Sequence, residues 1–140
     1  MTKEIKTVAL TSLKSLGGMA PVFDLPVKID RIDGTKAEII FKVKGMKRTD
    51  WAALRDAQIE SMVAAATEAA DSEEKFSLVD RVTREVKNAV QIISQAATGW
   101  SLEEEFNAEN LEAMEDLIPG ALQASLAAID LALFQGRLGN

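Results

Sequence analysis

The sequence predicts an α+β fold that is predominantly α, an N-terminal β-hairpin followed by a bundle of about four helices. Three observations carry this. An Asp33-Gly34 pair sits between two short runs in which apolar and charged residues alternate, the pattern of two strands joined by a tight turn. Beyond residue 48, apolar side chains recur at three- and four-residue intervals in alanine-rich segments, the period of helices that pack through one face. With 140 residues, 47% hydrophobic and 27% charged, the chain has the composition of one folded domain, able to bury roughly two-thirds of its unfolded surface.

Residues 1–20 (MTKEIKTVALTSLKSLGGMA) lack sustained periodicity and end near Gly17-Gly18, so they read as a mobile arm or one short helical turn, with a single domain over 21–140. The hairpin is expected over 25–44, with strands near 25–33 and 37–44 and Gly34 supplying the positive φ of the turn. Thr49 or Asp50 then caps a helix over about 50–70, whose Trp51, Leu54, Ile59, Met62, Val63 and Ala66 gather on one side. Asp71 or Ser72 caps the next, over about 73–98, where Glu73 and Glu74 suit the positive end of the helix dipole. Within it Val79, Val82, Val86, Ala89, Ile93, Ala96 and Trp100 alternate three- and four-residue spacings, a seam for another helix, either the preceding one or a second copy. Gly99 is expected to end that helix in the left-handed conformation. Asn107 caps a third helix over 107–118. Pro119 kinks it or opens a fourth over 120–135, and Gly136 and Gly139 close the chain.

What is missing narrows the chemistry. There is no Cys, His or Tyr. A disulfide framework, a zinc site with nitrogen or sulfur ligands, a cysteine or serine–histidine nucleophile and a histidine acid/base are all excluded. Lys3, Lys6 and Lys14 interrupt the one candidate for a signal peptide, and the weakly charged run 119–136 holds too many polar residues to span a membrane. A protein of the cell interior, bound to no membrane and needing no cofactor, is the expectation. The net charge of −6 is unevenly spread: residues 1–48 carry ten basic and five acidic side chains, residues 49–140 six and seventeen. Such a split suits two faces with different partners, or association of like copies, basic surface on acidic. The basic side chains of the hairpin region have only Phe41 beside them as a stacking platform, so nucleic-acid binding is not expected.

The segment TGWSLEEEFNAENLEAMEDLIP, from Thr98 to Pro119, holds seven carboxylates and no basic residue. Glu105, Glu109, Glu112 and Asp116 would share one stripe of an unbroken helix, yet helical carboxylate di-metal centres also need Glu-x-x-His pairs and calcium loops need a central glycine. A solvated outer face is the simpler reading, with Leu111, Met114, Leu117 and Ile118 as the buried stripe behind it. Residues 117–134 carry a single charge, Asp130. A helix apolar on every side is either the central core helix or one that offers a face to a partner.

The order Trp100, Phe106, Asn110-Leu111, Pro119, an apolar helix and a terminal GRLGN resembles the C-terminal half of the tail assembly chaperones of long-tailed bacteriophages. The first half is similar too, in its proline-flanked strand, Asp33-Gly34 turn, EIIFKVK strand and KRTDW helix opening. The resemblance covers about residues 21–140, and residues 1–20 match no feature of it. It implies a protein that is not an enzyme, that binds the tape measure protein, and that helps recruit tail tube subunits in the cytoplasm of the bacterial host without entering the mature virion. A frameshifted longer form of the chain would be a further partner, the present chain being the short form. On this reading the protein-binding candidates are Trp100, Phe106, Leu111, Met114, Ile118, Leu122, Leu126, Ile129, Leu133 and Phe134. The competing expectation is a structural or adaptor subunit of the phage particle that forms homo-oligomers through its helical seam.

Overall fold

In the computed structural model, which describes residues 22–71 and 77–136, the chain opens with strands β1 (Val22–Asp30) and β2 (Lys36–Lys44) paired antiparallel from Val22↔Lys44 to Asp30↔Lys36. The expectations for residues 1–20, for a cap at Ser72 with Glu73 and Glu74, and for Gly139 lie outside the described residues. The turn occupies a three-residue loop, Ile32 to Gly34. Gly34 adopts φ 86° and donates its N–H to the Arg31 carbonyl at 3.0 Å, while the Arg31 N–H reaches the Thr35 carbonyl at 2.9 Å. The first strand therefore stops at Asp30, three residues short of its expected end, and starts at Val22 instead. Asp33 braces the loop by accepting the Thr35 N–H at 2.9 Å and the Thr35 hydroxyl at 2.6 Å. Those two donors, the hydroxyl foremost, hold its carboxyl below the ordinary carboxylate range.

Alternation decides which side of the hairpin is buried. Leu25, Val27 and Ile29 of β1 and Ile39, Phe41 and Val43 of β2 form one apolar face, while Asp24, Lys28, Lys42 and Lys44 point away from it. Pro26 is tolerated because β1 is an edge strand. A third strand, β3 (Ala97–Trp100), adds to the other side of β2 and pairs Phe41 with Trp100 and Lys42 with Gly99. This strand corrects the expected helix over 73–98. The helix ends at Ala96, Ala97 is extended at φ −116° and ψ 152°, and Gly99 is not a left-handed cap. Strand pairing takes over where a glycine cap was expected, and Ser101 Oγ extends it by accepting the Ile40 N–H at 3.0 Å.

Four helices follow the hairpin: α1 (Arg48–Asp71), α2 (Leu78–Ala96), α3 (Ala108–Leu117) and α4 (Ala121–Gln135). Ser77 caps α2 by accepting the Asp80 N–H at 3.2 Å, and Asn107 caps α3 as expected, accepting the Asn110 N–H at 2.8 Å. Pro119 lies in the turn between α3 and α4, where the chain bends by 115°. The residue before α4 is Gly120, which has no capping side chain, so Glu115 reaches across the turn. Its two carboxylate oxygens accept the N–H groups of Gly120 at 2.6 Å and Leu122 at 2.9 Å. At the far end Gly136, at φ 65°, closes the helix.

Helix α4 is the centre of the fold. It packs on β1 and against α1, α2 and α3, burying Ala121, Leu122, Ser125, Leu126 and Ile129, and the Ser125 hydroxyl is satisfied by the Ala121 carbonyl at 2.7 Å. Its one charge has a structural task. Asp130 accepts the indole N–H of the fully buried Trp51 at 2.8 Å and pairs with Arg55 at 3.1 Å, which fastens the start of α1 to α4.

Two expected apolar faces are only half covered. On α1, Trp51 is buried and Leu54 packs against the core, whereas Ile59, Met62, Val63 and Ala66 are exposed. Among the described residues the second half of α1 has only α2 beside it, and the residues of α2 that line the gap of about 440 Å³ between them are Arg81, Arg84, Glu85 and Asn88. The seam on α2 runs beside α3 and α4 instead of α1. Ile93 and Ala96 are in the core, Val86 and Ala89 are half-buried, and Val79 and Val82 stand clear of the body.

Replacing Asp130 by Ala leaves the buried Trp51 N–H without its acceptor and removes the ion pair of Arg55, which keeps its hydrogen bond to Gln58. A loss of about 1–3 kcal/mol in unfolding free energy is expected, measurable by urea denaturation followed through tryptophan fluorescence. In the loop, an NMR titration should place the Asp33 carboxyl below the ordinary range, and Thr35→Val, which removes the hydroxyl donor, should move it back up. Because the folded-state value is the depressed one, the contribution of Asp33 is present at neutral pH and disappears as pH falls through that value.

Candidate protein-binding surface

The ten residues expected to bind a partner separate into two groups. Leu111, Met114, Leu122, Leu126 and Ile129 lie in the core, where α3 and α4 meet the sheet and α2, and they are all but sealed from solvent in this conformation. Trp100, Phe106, Ile118, Leu133 and Phe134 are half-buried, each packed against the core with part of the side chain open to solvent.

The fold brings Trp100 and Phe106 together. They meet edge to face at 5.3 Å, and both lean on Phe41, at 6.1 and 6.3 Å. The Trp100 indole N–H donates to the Glu104 carbonyl at 2.7 Å, which holds the 101–107 loop against β3, and Asn110 ties the same loop to α3 through the Glu105 carbonyl at 2.7 Å. Phe41 is fully buried beneath this pair and offers no face for stacking a base. Leu133 and Phe134 lie elsewhere, at the end of α4, where Phe134 meets Trp51 at 6.4 Å.

The largest exposed apolar residues lie mostly outside the expected set. Leu117, expected in the buried stripe of α3, is 82% exposed: it ends the helix, and the 115° bend turns the chain away before anything can cover it. Ile32, at the tip of the hairpin loop, is 92% exposed. Between these two, a hollow of about 530 Å³ is floored by Ile118 and Pro119 and flanked by Asp30, Arg31 and Asp33. Pro119 also lines a second hollow, of about 360 Å³, on the α2 side of the turn. There Val82, Val86, Ala89 and Leu122 supply an apolar floor, and Glu85, Glu115 and Asp116 stand at the rim. Val79, 75% exposed, prolongs that floor along α2. The α3–α4 turn thus carries an apolar surface on both flanks, edged by carboxylates.

Among the described residues the carboxylates do not gather into a cluster that could hold a metal ion. Glu105 precedes α3, so the four-residue stripe is not a continuous helix face. Glu115 is occupied in capping α4. Among the described residues no single helix is long and apolar enough to cross a membrane. Only the spacing on α2 pointed in advance to the exposed surface; the period of α3 placed Leu117 in the buried stripe, and Ile32 lies in the turn.

A family described as phage tail assembly chaperone matches residues 6–140 of the chain, a span that takes in most of the N-terminal segment as well as the hairpin and helices. No curated protein and no solved structure matches it.

The two classes of apolar residue are separable by stability. Leu117→Asp and Val82→Asp should change the unfolding free energy by no more than about 0.5 kcal/mol, whereas Leu111→Ala or Ile129→Ala should cost about 2–5 kcal/mol in the same denaturation experiment.

Proposed function

The chain belongs to the phage tail assembly chaperone family, and on that premise we propose that it binds the tape measure protein, keeps it soluble, and helps recruit tail tube subunits around it, without catalysing a reaction. It acts in the cytoplasm of the bacterial host and is absent from the mature virion. The observation that supports this most is the uncovered apolar surface on both flanks of the α3–α4 turn, whose α2 side lies in the part of the chain that carries most of the negative charge. A chaperone for a long helical client needs apolar side chains to cover those of the client and charge to keep the complex in solution. The half-exposed Trp100, Phe106, Ile118, Leu133 and Phe134 are the expected contact residues that this conformation leaves accessible.

The uncovered half of the α2 seam favours one other reading, a particle subunit that self-assembles through Val79 and Val82. Mass spectrometry of purified particles separates the two, because a chaperone is missing from them and a structural subunit is present.

Co-expression with the tape measure protein of the same phage should raise the soluble yield of that client, and the two proteins should co-purify. Because α4 is the core helix, truncation after Ile118 would unfold the domain and test nothing about binding. Surface substitutions are the informative variants. If the client is as soluble alone as with the chain, and no complex forms, the proposed function is wrong.

A further inference from the structure

The surface around the α3–α4 turn has a shape and a charge that specify what fits it. Along α2 the apolar residues Val79, Val82, Val86 and Ala89 continue, with the same three- and four-residue spacing, the line that Ile93 and Ala96 follow into the core. In the core half this line is covered by helices, α3 and α4. The outer half presents the same knob spacing, and no other described element lies upon it. An apolar line of that period is complementary to another helix lying beside it, since a strand would meet side chains at the wrong repeat. From Val79 to Ala89 the line is about 15 Å long, close to three helical turns.

The rim adds the second specification. The hollow beside α2 is edged by Glu85, Glu115 and Asp116, and the hollow on the other flank of Pro119 by Asp30, Asp33 and one guanidinium, Arg31. Five carboxylates against one base make this edge acidic, and the three beside α2, Glu85, Glu115 and Asp116, belong to the acidic excess of residues 49–140. Arg81 bonds Glu85 at 3.2 Å and Lys36 lies 3.8 Å from Asp30, but Asp116 has no ion-pair partner among the described residues. An apolar floor inside an acidic rim favours an occupant whose apolar stripe is flanked by lysine or arginine.

We infer that the hollow between α2 and the α3–α4 turn docks a basic amphipathic helix, laid along Val79, Val82 and Val86 with its cationic flanks at Glu85 and Asp116. The inference rests on the proposed function only for the source of that helix, the tape measure client. The docking chemistry stands on the geometry alone.

The test uses the full chain and two synthetic helical peptides of about 18 residues, about five turns. They share one leucine stripe and differ in carrying lysines or glutamates on its flanks. Fluorescence anisotropy should show the lysine peptide binding at least about tenfold more tightly, with a preference that shrinks as salt is raised. Val82→Asp should weaken binding of both peptides. The double variant Glu85→Lys/Asp116→Lys, which touches only exposed side chains, should reverse the preference, and circular dichroism confirms that each variant is folded. Equal affinity for the two peptides, or a preference untouched by the double variant, overturns the inference. It is also overturned if Val82→Asp abolishes a dimer seen by sedimentation, which gives the hollow to a second copy. Binding that emerges only when Lys3, Lys6 and Lys14 are all changed to Glu would give it to residues 1–20 of the same chain, with the same consequence. The tape measure protein provides the arm that separates the two proposals. If it fails to bind while the peptides behave as expected, the proposed function falls and the docking site stands. If it binds and neither Val82→Asp nor the charge reversal weakens the complex, the function stands and the docking site falls.

Discussion

A fifteen-residue helix with a single charged side chain is not stable standing free in water, and the arrangement of this protein follows from covering most of α4. The apolar side of the hairpin covers one flank, α2 and α3 cover others, and the first turns of α1 pack against a further part, leaving Gln123, Ala127 and Gln135 exposed. The charge is no exception to the rule. Asp130 is kept where it is by Trp51 and Arg55, so the one charged point on the helix becomes the fastening that positions α1. Within this scheme the sheet needs only one buried face, and three short strands supply it.

The covering is complete at the centre and incomplete at the margins. Both α1 and α2 are longer than the body they pack on, and their outer turns carry apolar residues that no other described element reaches. The two helices do not hide these residues from solvent by meeting each other, because α2 turns Arg81, Arg84 and Asn88 towards α1. What remains is an apolar line on α2 that passes without a break from the core to the open surface beside Pro119. Fold stability and partner binding would then draw on one continuous seam, its inner half engaged and its outer half free. On the proposed reading, substitutions on the outer half would alter binding while leaving the fold intact.

The acidic segment acquires three distinct physical roles from the same residue type. Glu115 satisfies the backbone N–H groups at the start of α4, Glu104 and Glu105 lend their backbone carbonyls to fix the loop after β3, and Asp116 faces solvent at the rim of the hollow. A negative edge of this kind keeps like molecules apart and admits a cationic partner. It complements the proposed chaperone role, in which the apolar surface must be open to a client and closed to non-specific association.

Local signals in the sequence determined the elements. The Asp33-Gly34 turn, the Asn107 cap and the strand alternation each depend on neighbours within a few residues, and each is found in place. The family resemblance was likewise legible in the order of short motifs. Strand β3 was not, because Ala97 to Trp100 is a strand only through its pairing with β2, more than fifty residues earlier. Nor was the division of the apolar residues into core and surface. Periodicity states that Val79 and Ile93 lie on one line, and Leu111 and Leu117 on another, but exposure depends on what stands opposite. Only the tertiary structure, by ending α3 at the bend and letting α2 run past the body, decided that Leu111 and Ile93 are sealed inside while Leu117 and Val79 are left to solvent.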